Sequence, residues 1–213
     1  PDGPTPDVLP PDVLPPDVLP PDVLAPDMLA PDTGPPMLTA PFTLTFETGN
    51  GGLTATRDWQ WGKLAFSAGS NCSGSIAPPP SAHSGSRVWG TVLNDCYSPL
   101  GNAANSCSNT STSDDSTLTL EFFIPSSFKT ARLRYWEWTD YFLTYDWTEV
   151  YLNGKVVRQH CTGSYVKPTK WVQRVLNLDK QIGKKVTIEF HFMATNVVNY
   201  SGWYLDDISA SES

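Results

Sequence analysis

The 213-residue chain has no run of about 20 apolar residues, so no segment of it reads as a membrane-spanning helix. Bases are scarce. There are 14 Lys and Arg against 22 Asp and Glu, and none of the bases falls in the first 41 residues. A nucleic-acid partner is therefore not expected, because phosphate binding needs clustered positive charge. The three histidines stand in no HExxH, and no GxSxG elbow is present, so the sequence offers neither a zinc-peptidase nor an α/β-hydrolase signature. The four cysteines include no CxxC, which favours disulfides over zinc or redox chemistry. No window carries helical periodicity. No basic n-region with an apolar h-region opens the chain, and Pro1 is not an initiator residue, so the expectation is a secreted, extracellular chain whose signal has been removed.

What is present divides near Pro41. Fourteen of the 20 prolines and seven aspartates lie in residues 1–41, leaving residues 42–213 close to neutral. The first segment repeats Pro-Asp-Val-Leu-Pro in phase from Pro6 to about Pro35. Proline fixes φ and pushes the preceding residue into extended backbone, so helix is excluded and polyproline II is expected, advancing ~3.1 Å per residue. An ordinary spacer would gain nothing from repeated aliphatic pairs. Burying one Val or Leu is worth ~1.5–3 kcal/mol, so several pentads docked together would hold an assembly. The expected assembly ligands are Val8, Leu9, Val13, Leu14, Val18, Leu19, Val23 and Leu24, followed by Met28 and Leu29.

The second segment reads as all-β. "TLTLEFFI" (117–124) sets Leu118, Leu120, Phe122 and Ile124 on one face, and "VTIEFHFM" (186–193) does the same with Val186, Ile188, Phe190 and Phe192. Strict alternation marks strands with one buried face. Asn153-Gly154 between two β-rich runs is a hairpin signal. Further strands are expected at 42–47, 87–93, 131–138, 171–178 and 203–210. The spacing predicts a two-sheet antiparallel jelly-roll sandwich over 42–213, preceded by the extended tail at 1–41. Three of the cysteines fall in the polar loops 67–86 and 94–116. Of the three connectivities that Cys72, Cys96, Cys107 and Cys161 allow, Cys96–Cys107 with Cys72–Cys161 is the one expected.

Four stretches follow one another in order: "TFETGNGGLTATRDWQWGKL", "AHSGSRVWGTVLNDCYS", "ARLRYWEWTDYFLTYDWTEVYLNG" and "GWYLDDIS". Together they resemble the MAM-like jelly-roll modules of bacterial secreted proteins, such as those appended to immune-inhibitor-A-type peptidases. The resemblance spans roughly residues 42–210. Phe46-Glu47, His83-Ser84-Gly85 and Gly202-Trp203-Tyr204-Leu205-Asp206-Asp207-Ile208 carry most of it. The chain departs from the pattern in the cysteine-bearing insertion at 94–116, and in Tyr145-Asp146-Trp147-Thr148 where relatives often have Tyr-Asp-Gly-Gly. The resemblance implies an accessory, non-catalytic module, a structural role for His83, and a structural ion near the Glu and Asp-Asp pair.

Two candidate sites follow. First and last strands of a jelly-roll tend to be neighbours, so Glu47, Asp206 and Asp207 are candidate oxygen ligands for Ca²⁺. The alternative leaves Asp206 pointing outward and Asp207 bonded to a loop backbone. Trp59, Trp61, Tyr141, Tyr145 and Trp147 lie near expected strand ends and are candidate stacking platforms for glycans. Trp136 and Trp138 share one strand face, as core residues do. Trp89 and Trp203 are expected in the core, and His191 is expected on an exposed strand face. Asn71, Asn109 and Asn199 begin glycosylation-type triplets. The reading favoured by the tail is a filament subunit whose partners are other copies of itself. The alternative is a stalked adhesin or carbohydrate-binding module that uses the tail as a spacer and surface glycans as partners.

Overall fold

The computed structural model describes Gly3 and residues 37–67, 72–98, 115–143, 145–161, 163, 165 and 167–212. The chain divides into two compact units, Pro1–Pro36 and Met37–Ser213. Every tail residue named above as an assembly ligand lies outside the described residues, as do Asn71, Asn109 and Cys107.

Among the described residues, twelve strands run in chain order. They are β1 (Leu38–Thr39), β2 (Phe42–Leu44), β3 (Thr54–Ala55), β4 (Trp59–Lys63), β5 (Arg87–Thr91) and β6 (Asp115–Phe123). Then come β7 (Arg132–Asp140), β8 (Trp147–Leu152), β9 (Lys155–His160), β10 (Val172–Asn177), β11 (Lys185–Met193) and β12 (Gly202–Ser211). One sheet has the order β1-β6-β11-β8-β9, with β3 on the edge of β6. The other has the order β10-β7-β12-β5-β4, with β2 against β12. The protein is an all-β jelly-roll sandwich. Its pairs are antiparallel except β1 with β6.

The alternating strands bury the faces expected of them. Leu118, Leu120, Phe122 and Ile124 pack with Val186, Ile188, Phe190 and Phe192 in the first sheet. Leu133, Tyr135, Trp203, Leu205 and Ile208 answer from the second. Rings link the layers: Tyr135 meets Phe190 edge-on at 5.1 Å, and Trp203 meets Phe190 at 5.7 Å. Each such side chain removed from water contributes about 1.5–3 kcal/mol. Asn153 and Gly154 both have positive φ, 49° and 73°, and join β8 to β9 as the tight hairpin the sequence predicts.

Composition misplaces the domain boundary. Leu38–Thr39 pairs with Phe122–Phe123, and Ala40 is buried, so residues 37–41 belong to the sandwich and not to the tail. A second correction concerns Trp136 and Trp138. They do share a face, but it is the outer one. Trp138 packs there with Val88, Leu93 and Tyr204 in a separate cluster, and its indole N–H donates to the Ala77 carbonyl at 2.7 Å. The 77–84 segment thus roofs the outer face of β7. Gly90 is needed under this roof, because a Cβ there would fall 2.5 Å from the Tyr204 ring.

Disulfide pairing differs from the expectation. Cys72 bonds to Cys96, with Cα atoms 5.3 Å apart, and Cys161 is also disulfide-bonded. Neither Cys96–Cys107 nor Cys72–Cys161 forms. The segment after β5 explains this: Ser67 N–H donates to Asn94 O, while Ser73 N–H donates to Asn199 O and Tyr97 N–H to Tyr200 O, so the residues beside Cys72 and Cys96 meet on the same turn at 199–200.

Candidate ligand-binding cleft

Edge strands β9 and β10 belong to different sheets, and the sandwich is open between them. Glu137 of β7 holds this opening together. Alternation along β7 turns Leu133, Tyr135 and Glu137 inward, which places a carboxylate at a core position, 1% exposed. A register shift between Val150 and Tyr151 in the β8–β9 ladder sets Arg158 opposite Val150. Arg158 then donates to both Glu137 oxygens, Nη2 to Oε1 at 2.8 Å and Nη1 to Oε2 at 3.0 Å. Arg174 of β10 donates through Nε to Oε1 at 2.6 Å, and Trp203 Nε1 to Oε2 at 3.2 Å. A buried carboxylate persists only when paired and hydrogen-bonded in this way.

Above this network lies a cleft of about 400 Å³. Tyr141, Leu143, Pro168 and Val172 form its apolar wall, and Thr139, His160, Lys167, Thr169 and Lys170 supply polar groups. The Tyr141 hydroxyl lies 2.6 Å from Nδ1 of His160 and 3.0 Å from Oγ1 of Thr148. Burial pushes the Tyr141 phenol far above its usual range and, with Arg158 nearby, lowers the His160 pKa. The phenol and the imidazole share one hydrogen bond, in which Nδ1 accepts in one ring tautomer and donates in the other.

Beside the cleft, Phe142 stacks on Tyr145 at 5.7 Å and on Tyr165 at 6.1 Å, while Tyr165 meets Tyr200 at 5.0 Å. All four rings are half-buried, so each keeps some solvent-facing surface. Tyr145 is the one residue of the expected glycan platform that the structure brings into this cluster. Phe142, Tyr165 and Tyr200 went unnoticed, although "YFLTY" packs three aromatics into five residues.

The other platform candidates are corrected. Trp59 is 4% exposed, its N–H given to Ser116 O and its ring 5.5 Å from Trp203. Tyr141 and Trp147 are each 3% exposed. Trp61 is partly covered, donates to Phe46 O and lies under Arg87, whose guanidinium is 5.0 Å from the ring. Strand ends here point inward, so proximity to a loop in sequence did not mean exposure. Asn199 is likewise corrected as a glycan acceptor: it is 7% exposed and its Nδ2 donates to Tyr97 O at 2.7 Å.

The carboxylates expected to hold calcium meet one loop. β2 pairs with β12, as expected of first and last strands. A bulge between Asp206 and Ser209 breaks the alternation of β12, with Asp207 at φ 46°, and brings both aspartates to the 83–84 turn. Asp206 is fully buried, contrary to the outward alternative, and accepts from Ser84 N–H at 3.1 Å. Asp207 accepts from Ser84 Oγ at 2.7 Å and lies 2.5 Å from Nδ1 of His83, whose ring stacks on Trp136 at 3.9 Å. Glu47 accepts from the N–H groups of Ser86 and Arg87, both at 2.8 Å. These acids and serines bring oxygen donors to one turn, the donor class of Ca²⁺. Among the described residues, the three carboxylates do not gather within 4.8 Å of one another. His191 is also corrected. It is half-buried on the outer face of the first sheet, with Nδ1 2.5 Å from Asp115.

No family model matches the chain. It is 24% identical over 180 residues to Bacillopeptidase F of Bacillus subtilis (strain 168), covering 83% of this chain and 11% of that protein. Among solved structures it is similar to a family 61 carbohydrate-binding module in complex with β-1,4-galactotriose, at TM-score 0.49 and 13% identity. That match covers 79% of this chain and 94% of the module. The K2 cleaved adhesin domain of Lys-gingipain matches at TM-score 0.47 and 18% identity, over 81% of this chain and 99% of that domain.

Proposed function

We propose that the chain is a non-catalytic, extracellular saccharide-binding module on an acidic, Pro-rich spacer, with the cleft between β9 and β10 as its ligand site. The cleft carries this reading. Its volume falls in the range of about 300–1,000 Å³ usual for small-molecule sites, and an apolar wall faces a few convergent polar groups. The neighbouring Phe142, Tyr145, Tyr165 and Tyr200 rings supply faces of the kind that stack on sugars. The Cys72–Cys96 bond fits an oxidising compartment. The 11% share of the Bacillus peptidase agrees with one module of a longer extracellular protein, and the MAM-like motifs belong to the same reading.

The spacer role of the tail is preferred to filament docking. Seven aspartates and no base give the segment the like-charge composition of a self-repelling linker. Among the described residues, the exposed large aliphatics are Met37, Val156, Val157, Val175 and Val197, spread over two strands and two connecting segments as surface aliphatics commonly are. Ca²⁺ is part of the proposal as a structural ion at Glu47, Asp206 and Asp207, where it would neutralise carboxylates that lie around one turn.

The test is a glycan array and affinity electrophoresis on the full chain and on Thr169→Trp, which places an indole in the cleft from an exposed position. Saccharide binding by the wild type, lost in Thr169→Trp at unchanged melting temperature, is the expected result. A correctly folded wild type that retains no saccharide overturns it.

A further inference from the structure

We infer that the cleft takes an anionic saccharide, one bearing a uronate carboxylate or a sulfate ester; this rests on the saccharide reading above and adds the chemical class.

A neutral sugar hydroxyl both donates and accepts, so sites for neutral sugars need acceptors as well as donors. The carboxylate that lines this cleft is Glu137, and it has none to spare. A carboxylate offers about four lone-pair directions, and Arg158 takes two, Arg174 one and Trp203 one. The next carboxylate along β7, Asp140, is buried and turned elsewhere. It accepts from Ala77 N–H at 2.7 Å, Ser201 Oγ at 2.6 Å and the Tyr165 hydroxyl at 2.9 Å.

Apart from the hydroxyls of Thr139 and Thr169, which both donate and accept, what the cleft offers is donors. Lys167 and Lys170 both line it, and both are exposed. His160 also lines it, with Nδ1 engaged by Tyr141 and Nε2 as its other ring nitrogen. Charge points the same way. Glu137 is a single negative charge bracketed by two guanidiniums, and two ammonium groups sit at the rim. That is a surplus of three positive charges in a chain whose overall formal charge is −8. A local field of sign opposite to the net charge attracts an anion without attracting polyanions to the whole surface. Thr139 and Thr169 remain to bond ring hydroxyls, and Leu143, Pro168 and Val172 to cover apolar sugar faces.

The experiment measures binding of the full chain to four polymers. These are polygalacturonate, its carboxyl-reduced neutral twin, dextran sulfate and unsubstituted dextran, each tested at low and high NaCl. The same panel is run on Lys167→Gln/Lys170→Gln, in which two exposed side chains keep their length and lose their charge. Tighter binding of a charged polymer than of its neutral twin, weakened about tenfold or more by the double substitution and weakened by salt, is expected. Polygalacturonate as the preferred polymer assigns the anion to a carboxylate, and dextran sulfate assigns it to a sulfate ester. Equal binding of charged and neutral twins, unchanged in the lysine variant but lost in Thr169→Trp, overturns the anionic inference and leaves the saccharide reading standing. Failure to bind any polymer or any arrayed glycan removes both. Charged-polymer binding that survives the double substitution overturns the assignment to this cleft.

Discussion

Arg158 on β9 and Glu137 on β7 form a two-point ion pair, 2.8 and 3.0 Å, that ties an edge of one sheet to the interior of the other. The carboxylate is 1% exposed and Arg158 20%, whereas Arg174, the second partner, is 37% exposed. Glutamine at 137 removes the charge and one of the two acceptor oxygens, so two guanidiniums and an indole compete for the one carbonyl that remains. Glu137→Gln should therefore cost about 3 kcal/mol, the lower end for buried pairs because both arginines reach water. Arg174→Gln leaves the Arg158 pair intact and should cost about 1 kcal/mol or less. Urea unfolding of the two variants gives the comparison, and equal losses would contradict the arrangement.

The same residues show where sequence reading stops. In "RLRYWEWTD" the tryptophans look like the buried face and the glutamate like the solvent face. The structure inverts this, because Arg158 and Arg174 arrive from 21 and 37 residues away to neutralise Glu137. Local patterning carries no trace of such partners. Where burial alone decides, as in β6, β11 and the Asn153-Gly154 turn, the pattern was sufficient. β1 and β3 have two residues each and give no period to read. β4, "WQWGK", does alternate, but its position after "TATRD" made Trp59 and Trp61 look like loop aromatics. The cleft combines residues from β7, β9, β10 and two loops, so only Tyr141 of its lining was singled out, as an exposed glycan platform, and it is buried in the cleft wall.

Asp146 gives the fold a pH dependence of definite sign. Burial pushes its carboxyl up to about 7, against hydrogen bonds from Thr195 and Tyr97 that act to lower it. The ordinary value is 3.8. Between roughly pH 4 and pH 7 the folded state therefore holds this proton more often than the unfolded state, and stability falls as pH rises through that window. Asp146→Asn has no such proton. The unfolding free energy of wild type relative to Asp146→Asn should decline with rising pH by up to ~1.4 kcal/mol per unit, then level off above about pH 8. Chemical denaturation at three pH values reads this difference. A wild type that gains on the variant as pH rises would reverse the sign and refute the assignment.

The Cys72–Cys96 bond closes a loop across a sequence separation of 24, a ring that includes β5. Loop-closure entropy for such a ring amounts to roughly 3 kcal/mol. Cys72→Ser/Cys96→Ser should lose about that much stability, and the effect of reductant on melting should shrink in the double variant. Peptide mapping without reduction should recover Cys72 linked to Cys96. Recovery of Cys96 linked to Cys107 would show the connectivity to be wrong.

Glu47 makes the calcium proposal testable residue by residue. Its carboxylate is solvent-exposed yet held by two backbone N–H groups and the Ser86 hydroxyl, which together lower its pKa. Gly85 permits that approach, since it has φ 59° and a Cβ there would fall 2.4 Å from Glu47 Cδ. Burial, and then the charge of Asp207, already raise the pKa of the Asp206 carboxyl at the same turn, and a divalent cation shared with Glu47 would relieve the repulsion between the two aspartates. Ligand at about 100 times its dissociation constant adds ~2.7 kcal/mol to stability, which for a domain of this size is a melting shift of roughly 5–10 °C. Millimolar CaCl₂ should therefore raise the melting temperature of EGTA-stripped wild type, and Glu47→Ala should abolish the rise. Glu121→Ala, which removes an exposed carboxylate paired with Lys185 on the other sheet, should leave the rise intact. A calcium shift of the same size in Glu47→Ala would take Glu47 out of the ligand set.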